Sequence, residues 1–215
     1  MTPAEVELMA RRRYNAVSDT FWSQQEIFDM IYQACLEICD EGYVVERSYT
    51  SSTVASTQGY DFPTNAIAIK RVTWDGQKLT PIDMRDDDAL TALDMDTTDT
   101  GNPRYYFIWD RTIYLRPIPQ SVATLKLWTF NQQGAISTSS TSIEIPSQHH
   151  ARLINAVLSG MAAKDSNFNA ADWYLQQWRL DKLEIKKSMR KMKRGDGFAN
   201  VKDERMQVES YLGGL

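Results

Sequence analysis

AADWYLQQWRLDKLEIKKSMRKMKR, residues 170–194, reads as one long helix with apolar side chains on two sides. Leu175, Trp178, Ile185, Met189 and Met192 form a heptad-like stripe whose one gap is Lys182. Trp173, Leu180 and Leu183 fall off that stripe, on another part of the surface. A helix that only covers its own bundle needs a single apolar face. Two faces predict burial on two sides, either at the centre of its own bundle or against a neighbouring subunit. The same helix carries Lys182, Lys186, Lys187, Arg190, Lys191, Lys193 and Arg194. Cations near a helix C-terminus complement its dipole, so one reading is a solvated face. The other is contact with DNA phosphate or with an acidic partner. Base reading is disfavoured, because the run lacks the side-chain arrangement of a recognition helix. Trp173, Leu180, Leu183, Lys186, Lys187, Arg190 and Lys191 are thus the candidates for a subunit interface or a channel lining.

Outward from this helix, the chain is helical at both ends and β-rich between. Leu153, Ile154, Val157, Leu158 and Met161 make an apolar helical stripe after Ser147, and Asp165–Asn169 is a break. At the other end, Thr2-Pro3-Ala4-Glu5 is a capping box with proline in the first turn. That helix fades near Asn15–Thr20 and carries the small basic patch Arg11-Arg12-Arg13. A second box, Ser23-Gln24-Gln25-Glu26, opens a helix with Ile27, Ile31, Ala34, Cys35 and Ile38 on one face and Gly42 as its stop. From Tyr43 to Ile145 the period changes. Val44–Val54 reads as a strand. Ala66–Trp74 and Lys78–Ile82 flank the hairpin signal Asp75-Gly76, and Arg104–Trp109 and Thr112–Arg116 flank Asp110-Arg111. Val122–Asn131 alternates as a strand, and Ser142–Ile145 is expected to close the set. Arg85–Leu93 is expected to be a short helix or turn. The expected fold class is α+β: a bundle of residues 1–42 and 147–194, an inserted antiparallel sandwich or small barrel at 43–146, and an extended C-terminal arm at 195–215.

The formal net charge is -4, which excludes a chain that is a polycation overall. The basic excess is concentrated in residues 148–194, and an asymmetry of that kind calls for a partner. The start of the chain lacks an apolar signal core, and no stretch reaches the ~18 apolar residues of a membrane span. No membrane association is expected. Two cysteines, Cys35 and Cys39, four residues apart on a helix, are not a disulfide framework and point to a reducing compartment.

Residues with catalytic potential are few. His149 and His150 are the only histidines, and neighbours on a helix point about 100° apart, too divergent to share a metal. Cys35 and Cys39 share a face that is otherwise apolar and read as buried thiols. Asp94, Asp96 and Asp99 precede Gly101 but depart from the spacing of a calcium loop. Asp86-Asp87-Asp88 reads as a solvated charge cluster. No catalytic residue, metal site or cofactor is expected, and the chain is not expected to be an enzyme.

Four segments follow one another in a distinctive order: Phe21-Trp22-Ser23-Gln24-Gln25-Glu26-Ile27 leading into Met30–Ala34; Thr57-Gln58-Gly59-Tyr60-Asp61-Phe62-Pro63; Gly101-Asn102-Pro103-Arg104-Tyr105-Tyr106; and Ile113-Tyr114-Leu115-Arg116-Pro117-Ile118-Pro119. Over roughly residues 15–130 this set resembles the head-to-tail adaptor (connector, tail tubular A-like) proteins of tailed bacteriophages. The resemblance implies a structural virion protein at the head–tail junction, assembled in the host cytoplasm. It implies a homo-oligomeric ring, typically twelve-fold, between the portal protein and the tail or tail-tube protein, through which genomic DNA passes without sequence-specific binding. It also implies a C-terminal arm that engages the portal, here Phe198, Val201, Met206, Val208, Tyr211 and Leu212. The alternatives are a tail terminator or other tail-tube ring protein, and a non-specific nucleic-acid-binding module using residues 182–194.

Overall fold

The computed structural model describes residues 1–42, 45–83, 99–139 and 141–194, the side chains of 191–194 excepted. Helices and mainly antiparallel sheets divide into two compact units; against the expected antiparallel pattern, Thr80–Pro81 pairs with Tyr105–Trp109 and Thr100–Gly101 with Ile118–Pro119 in parallel. One gathers Met1–Val44 with the chain from Gln133 onward, and the other is Val45–Gln132. The expected helix or turn at Arg85–Leu93 and the acidic residues Asp86, Asp87, Asp88, Asp94 and Asp96 lie outside the described residues.

In the first unit α1 spans Pro3–Arg13. The Thr2 hydroxyl accepts from the Glu5 N–H, and the Glu5 carboxylate accepts from the Thr2 N–H, closing the capping box. Asn15, at φ 57°, ends the helix in the left-handed conformation that asparagine tolerates. Helix α2 spans Gln24–Gly42 and starts with the same device, Ser23 exchanging hydrogen bonds with Glu26. The helix expected at Ser147 begins instead as a 3₁₀ turn, Ser147–Arg152, because no side chain caps it and the His149 N–H closes back on the Pro146 carbonyl. It continues as α3, Leu153–Lys164. Ser166, at φ 59°, and Asn167, whose side-chain oxygen accepts from the Ala170 N–H, turn the chain into α4, Phe168–Arg194.

Helix α3 is the centre of this unit. No residue from Arg152 to Ala162 is exposed, and α3 touches α1, α2 and α4. Leu153, Ile154, Val157, Leu158 and Met161 share one core with Ile27, Phe28 and Ile31 of α2 and with Trp178 and Ile185 of α4. The Trp22 indole N–H donates to the Met161 carbonyl at 3.2 Å.

Ser142–Ile145 is not a strand, and it belongs to the helical unit rather than to the β unit, which ends at Gln132 and not at 146. The side chain of Gln133 does the work a ladder would have done. Its oxygen accepts from the Glu144 N–H at 2.8 Å and its nitrogen donates to the Ser142 carbonyl at 3.1 Å. Ile136, Ile143 and Ile145 are thereby held in the helical core.

Among its described residues the β unit contains two four-stranded sheets and a short pair. β1 (Val45–Ser52), β10 (Thr124–Asn131), β3 (Ala66–Trp74) and β4 (Gln77–Lys78) form the first, in that order. β2 (Gly59–Asp61), β8 (Thr112–Arg116), β7 (Tyr105–Trp109) and β5 (Thr80–Pro81) form the second. β6 (Thr100–Gly101) pairs with β9 (Ile118–Pro119). The two hairpin turns expected from sequence are present: Asp75 and Gly76 have φ 48° and 77°, Asp110 and Arg111 have φ 44° and 57°, as two-residue turns require. Val72, Trp74, Ile113, Leu115, Leu125 and Leu127 from both sheets meet in one core. Among the described residues no ladder closes the sheets into a barrel. The expected strand Lys78–Ile82 is split. Leu79 turns into the core and carries the chain from the first sheet to the second, where Thr80 and Ile82 donate to the Arg104 and Tyr106 carbonyls on either side of Pro81, which has no N–H.

Arg11 of the expected basic patch is not at the surface. Its Nε donates to Glu7 at 2.9 Å, and its Nη atoms donate to the carbonyls of Asp19 and Trp22 at 2.8 and 2.7 Å. Glu7 also accepts from the Gln24 side chain at 2.8 Å. Both partners of the pair are buried, so it ties α1 to the segment that leads into α2. Arg11→Met leaves the Glu7 carboxylate without its cation and should destabilise the helical unit by about 3–5 kcal/mol. A drop in the urea midpoint measures this, and Glu7→Gln combined with Arg11→Met should recover part of it.

Candidate functional site

Helix α4 presents two opposed faces. With successive residues about 100° apart, Ala171, Trp178, Ile185 and Met189 turn inward and are buried. Trp173, Leu180 and Leu183 turn outward, 56%, 56% and 53% exposed. Such exposure is high for three large apolar side chains in register on one helix. Lys187 and Arg190 continue the same outward face and are exposed. The result is a ridge, mostly apolar from Trp173 to Leu183 and basic at Lys187 and Arg190, with exposed Gln176 and Glu184 on the same face. Trp173 is braced by an edge-to-face contact with Tyr174, ring centroids 5.0 Å apart.

Polar contacts fix the inner face and so set which way the ridge points. Lys182, the gap in the inner stripe, donates to Glu37 and Glu41 of α2, at 3.0 Å each. Burial opposes its charge, but the two carboxylates outweigh burial and raise its pKa above the ordinary lysine value. Its cation is spent inside the unit, not on an external partner. The Trp178 indole N–H donates to Glu37 at 2.9 Å. Arg152 pairs with Asp181 at 2.9 Å and with Glu184, and Asn155 donates to Asp181 at 2.6 Å. Lys186 is half-buried beside Ile38 and Glu41 and is not part of the ridge.

Sequence reading missed the face of α2. This helix carries Glu26, Asp29, Glu37, Asp40 and Glu41 and no lysine or arginine. Between it, α3 and α4 lies an open cleft of 450 Å³ with Met30, Ala34, Leu175 and Trp178 in its lining and Glu26, Asp29 and Glu37 among its polar residues. The available signal was the recurrence of carboxylates and glutamine at 26, 29, 33, 37 and 40, a helical spacing opposite the Ile27–Ile38 stripe. Lys191 and the arm residues Phe198, Val201, Met206, Val208, Tyr211 and Leu212 lie outside the described side chains.

The family model described as SU10 adaptor protein matches residues 1–200, spanning both helical segments and the β unit. The chain belongs to this family of bacteriophage head–tail adaptors. No curated protein sequence matches it.

In this adaptor the residues with chemical potential are built into the core. Cys35 and Cys39 are fully buried, and burial pushes both thiols up, Cys39 to about 11. Among the described residues no group of three His, Cys, Asp or Glu is placed to hold a metal, and no helix is long and apolar enough to cross a membrane. The His150 Nε2–H donates to the Ile145 carbonyl, which leaves Nδ1 as the acceptor for the Met1 ammonium at 3.0 Å. Burial lowers the pKa of both His149 and His150. A folded-state value below the unfolded one means the unfolded chain takes up protons first. The contribution of the histidines is therefore complete above the unfolded value of about 6.5 and is lost as pH falls through the lowered folded values. The urea midpoint of the adaptor should fall between pH 7.5 and 5.5, and the fall should be smaller in a His149→Gln His150→Gln variant. An equal fall in that variant would assign the acid sensitivity to other groups.

Proposed function

We propose that the chain assembles as an oligomeric ring, typically of twelve copies, between the portal and the tail, extending the DNA channel and docking tail components. The observation that carries this reading is the Trp173–Leu180–Leu183 ridge. It is an apolar strip on a helix whose other face is already committed to its own core, and a neighbouring subunit is the partner that would bury it. The membership in a head–tail adaptor family supports the place of that ring. The helical unit is read as the bundle that forms the ring body, the β unit as an inserted lobe, and residues 195–215 as an extended arm, with Phe198, Val201, Met206, Val208, Tyr211 and Leu212 engaging the portal.

The basic half of the ridge supports a protein contact over a DNA contact. Packaged DNA has to slide through a channel, and phosphate contacts dominate nucleic-acid affinity, so cations lining the path would retard it. Lys187 and Arg190 are continuous with apolar surface, as an interface requires.

Electron microscopy of the purified protein mixed with isolated portal rings tests the reading. A new ring stacked on the portal is expected; unmodified portals would overturn it in favour of a tail terminator or tail-tube role. Truncation after Arg194 should leave the far-ultraviolet circular dichroism per helical residue and the urea midpoint unchanged and abolish portal binding. Unchanged binding would remove the arm from the proposal.

A further inference from the structure

We infer that the acidic cleft on α2 is the receptor for the α4 ridge of a second copy of this chain, so that copies join head to tail through two different surfaces. This rests on the ring reading above and names its interface. Three properties of the two surfaces match.

The first is length. The apolar stretch from Trp173 to Leu183 spans about 15 Å along α4, and the α2 residues of the cleft, Glu26 to Glu37, span about 17 Å, at 1.5 Å per residue. The second is charge. Lys187 and Arg190 have no ion-pair partner among the described residues. The charged side chains of α2 are all carboxylates. Lys164 pairs with Glu26, and Lys182 pairs with Glu37 and Glu41. Asp29 and Asp40 are exposed and have no cation beside them among the described residues, so the face keeps a negative excess. The third is apolar surface. The half-buried Met30 and Leu175 in the cleft lining offer apolar contact for Leu180 and Trp173, each more than half exposed.

Geometry makes the pairing intermolecular. Leu175 and Trp178 turn toward the cleft, whereas Trp173 and Leu180 lie roughly 120–180° away around the same rigid helix. A copy therefore cannot fill its own cleft with its own ridge. Two unlike surfaces on one chain give a heterologous contact, which repeats from copy to copy and closes into a ring when the rotation permits.

Charge reversal tests the assignment, with circular dichroism and the urea midpoint as controls for folding. Lys187→Glu with Arg190→Glu reverses the basic end of the ridge, and Asp29→Lys in the cleft with Asp40→Lys beside it reverses the acidic face of α2. Assembly is read by sedimentation and by electron microscopy, alone and on isolated portal rings. Each reversal should lower the assembled fraction about tenfold or more, as expected for opposed charges at a contact. All four substitutions in one chain should restore rings, and so should an equal mixture of the two reversed proteins, whose copies would alternate. Undiminished rings in either reversal, or rings lost and not restored by the combination, would overturn the pairing while leaving the ring reading in place. A two-fold dimer of the unaltered chain with no ring on portals would overturn both.

Discussion

Burial of α3 is the constraint on which the helical unit depends. From Leu153 to Ala162 this helix has no exposed residue, so it is stable only when other elements enclose it. Each fully buried leucine, isoleucine, valine or methionine contributes about 1.5–3 kcal/mol relative to exposure, and α3 supplies several. α1, α2 and α4 gather round it, and the segment carrying Ile136, Ile143 and Ile145 is drawn into the same core. α4 commits one face to this enclosure. Its second apolar face is left outside by geometry, because a rigid helix cannot turn both sides to one core.

The cations of α4 are sorted by the same enclosure. Lys182 is drawn inward, where its stem fills the gap in the apolar stripe and its ammonium meets Glu37 and Glu41. Lys186 sits at the edge. Lys187 and Arg190 go out with Leu180 and Leu183. A run that is uniform in sequence thus becomes one internal clamp and one external patch. Among the described side chains of the run, Lys187 and Arg190 are the exposed ones, and they lie beside apolar surface. Arg11 and its neighbours Arg12 and Arg13 are divided in the same way, the first into a buried network and the others into solvent.

The β unit has its own core and its own polar hub. Thr53, fully buried, exchanges hydrogen bonds with Ala123 and accepts from the Trp74 indole at 3.1 Å, joining three strands or their ends at one hydroxyl. Its hairpins were legible because Asp75-Gly76 and Asp110-Arg111 specify their own backbone conformation. The transfer of the chain between sheets at Leu79 was not, since a short apolar run reads alike whether it pairs on one side or crosses to the other.

The sequence by itself determined what neighbours in the chain can decide: the capping boxes at Thr2–Glu5 and Ser23–Glu26, the two tight turns, the alternation of Thr124–Asn131, and the helical period of α4. These are contacts within a few residues, written in contiguous side chains. Tertiary structure alone decided which stripe of α4 is enclosed, which lysine is neutralised, why Ser142–Ile145 follows the helices, and that α2 offers a carboxylate-bearing cleft. Glu37 and Lys182 stand 145 residues apart. No local pattern joins them, because burial and ion pairing depend on which distant surfaces the closed core brings together.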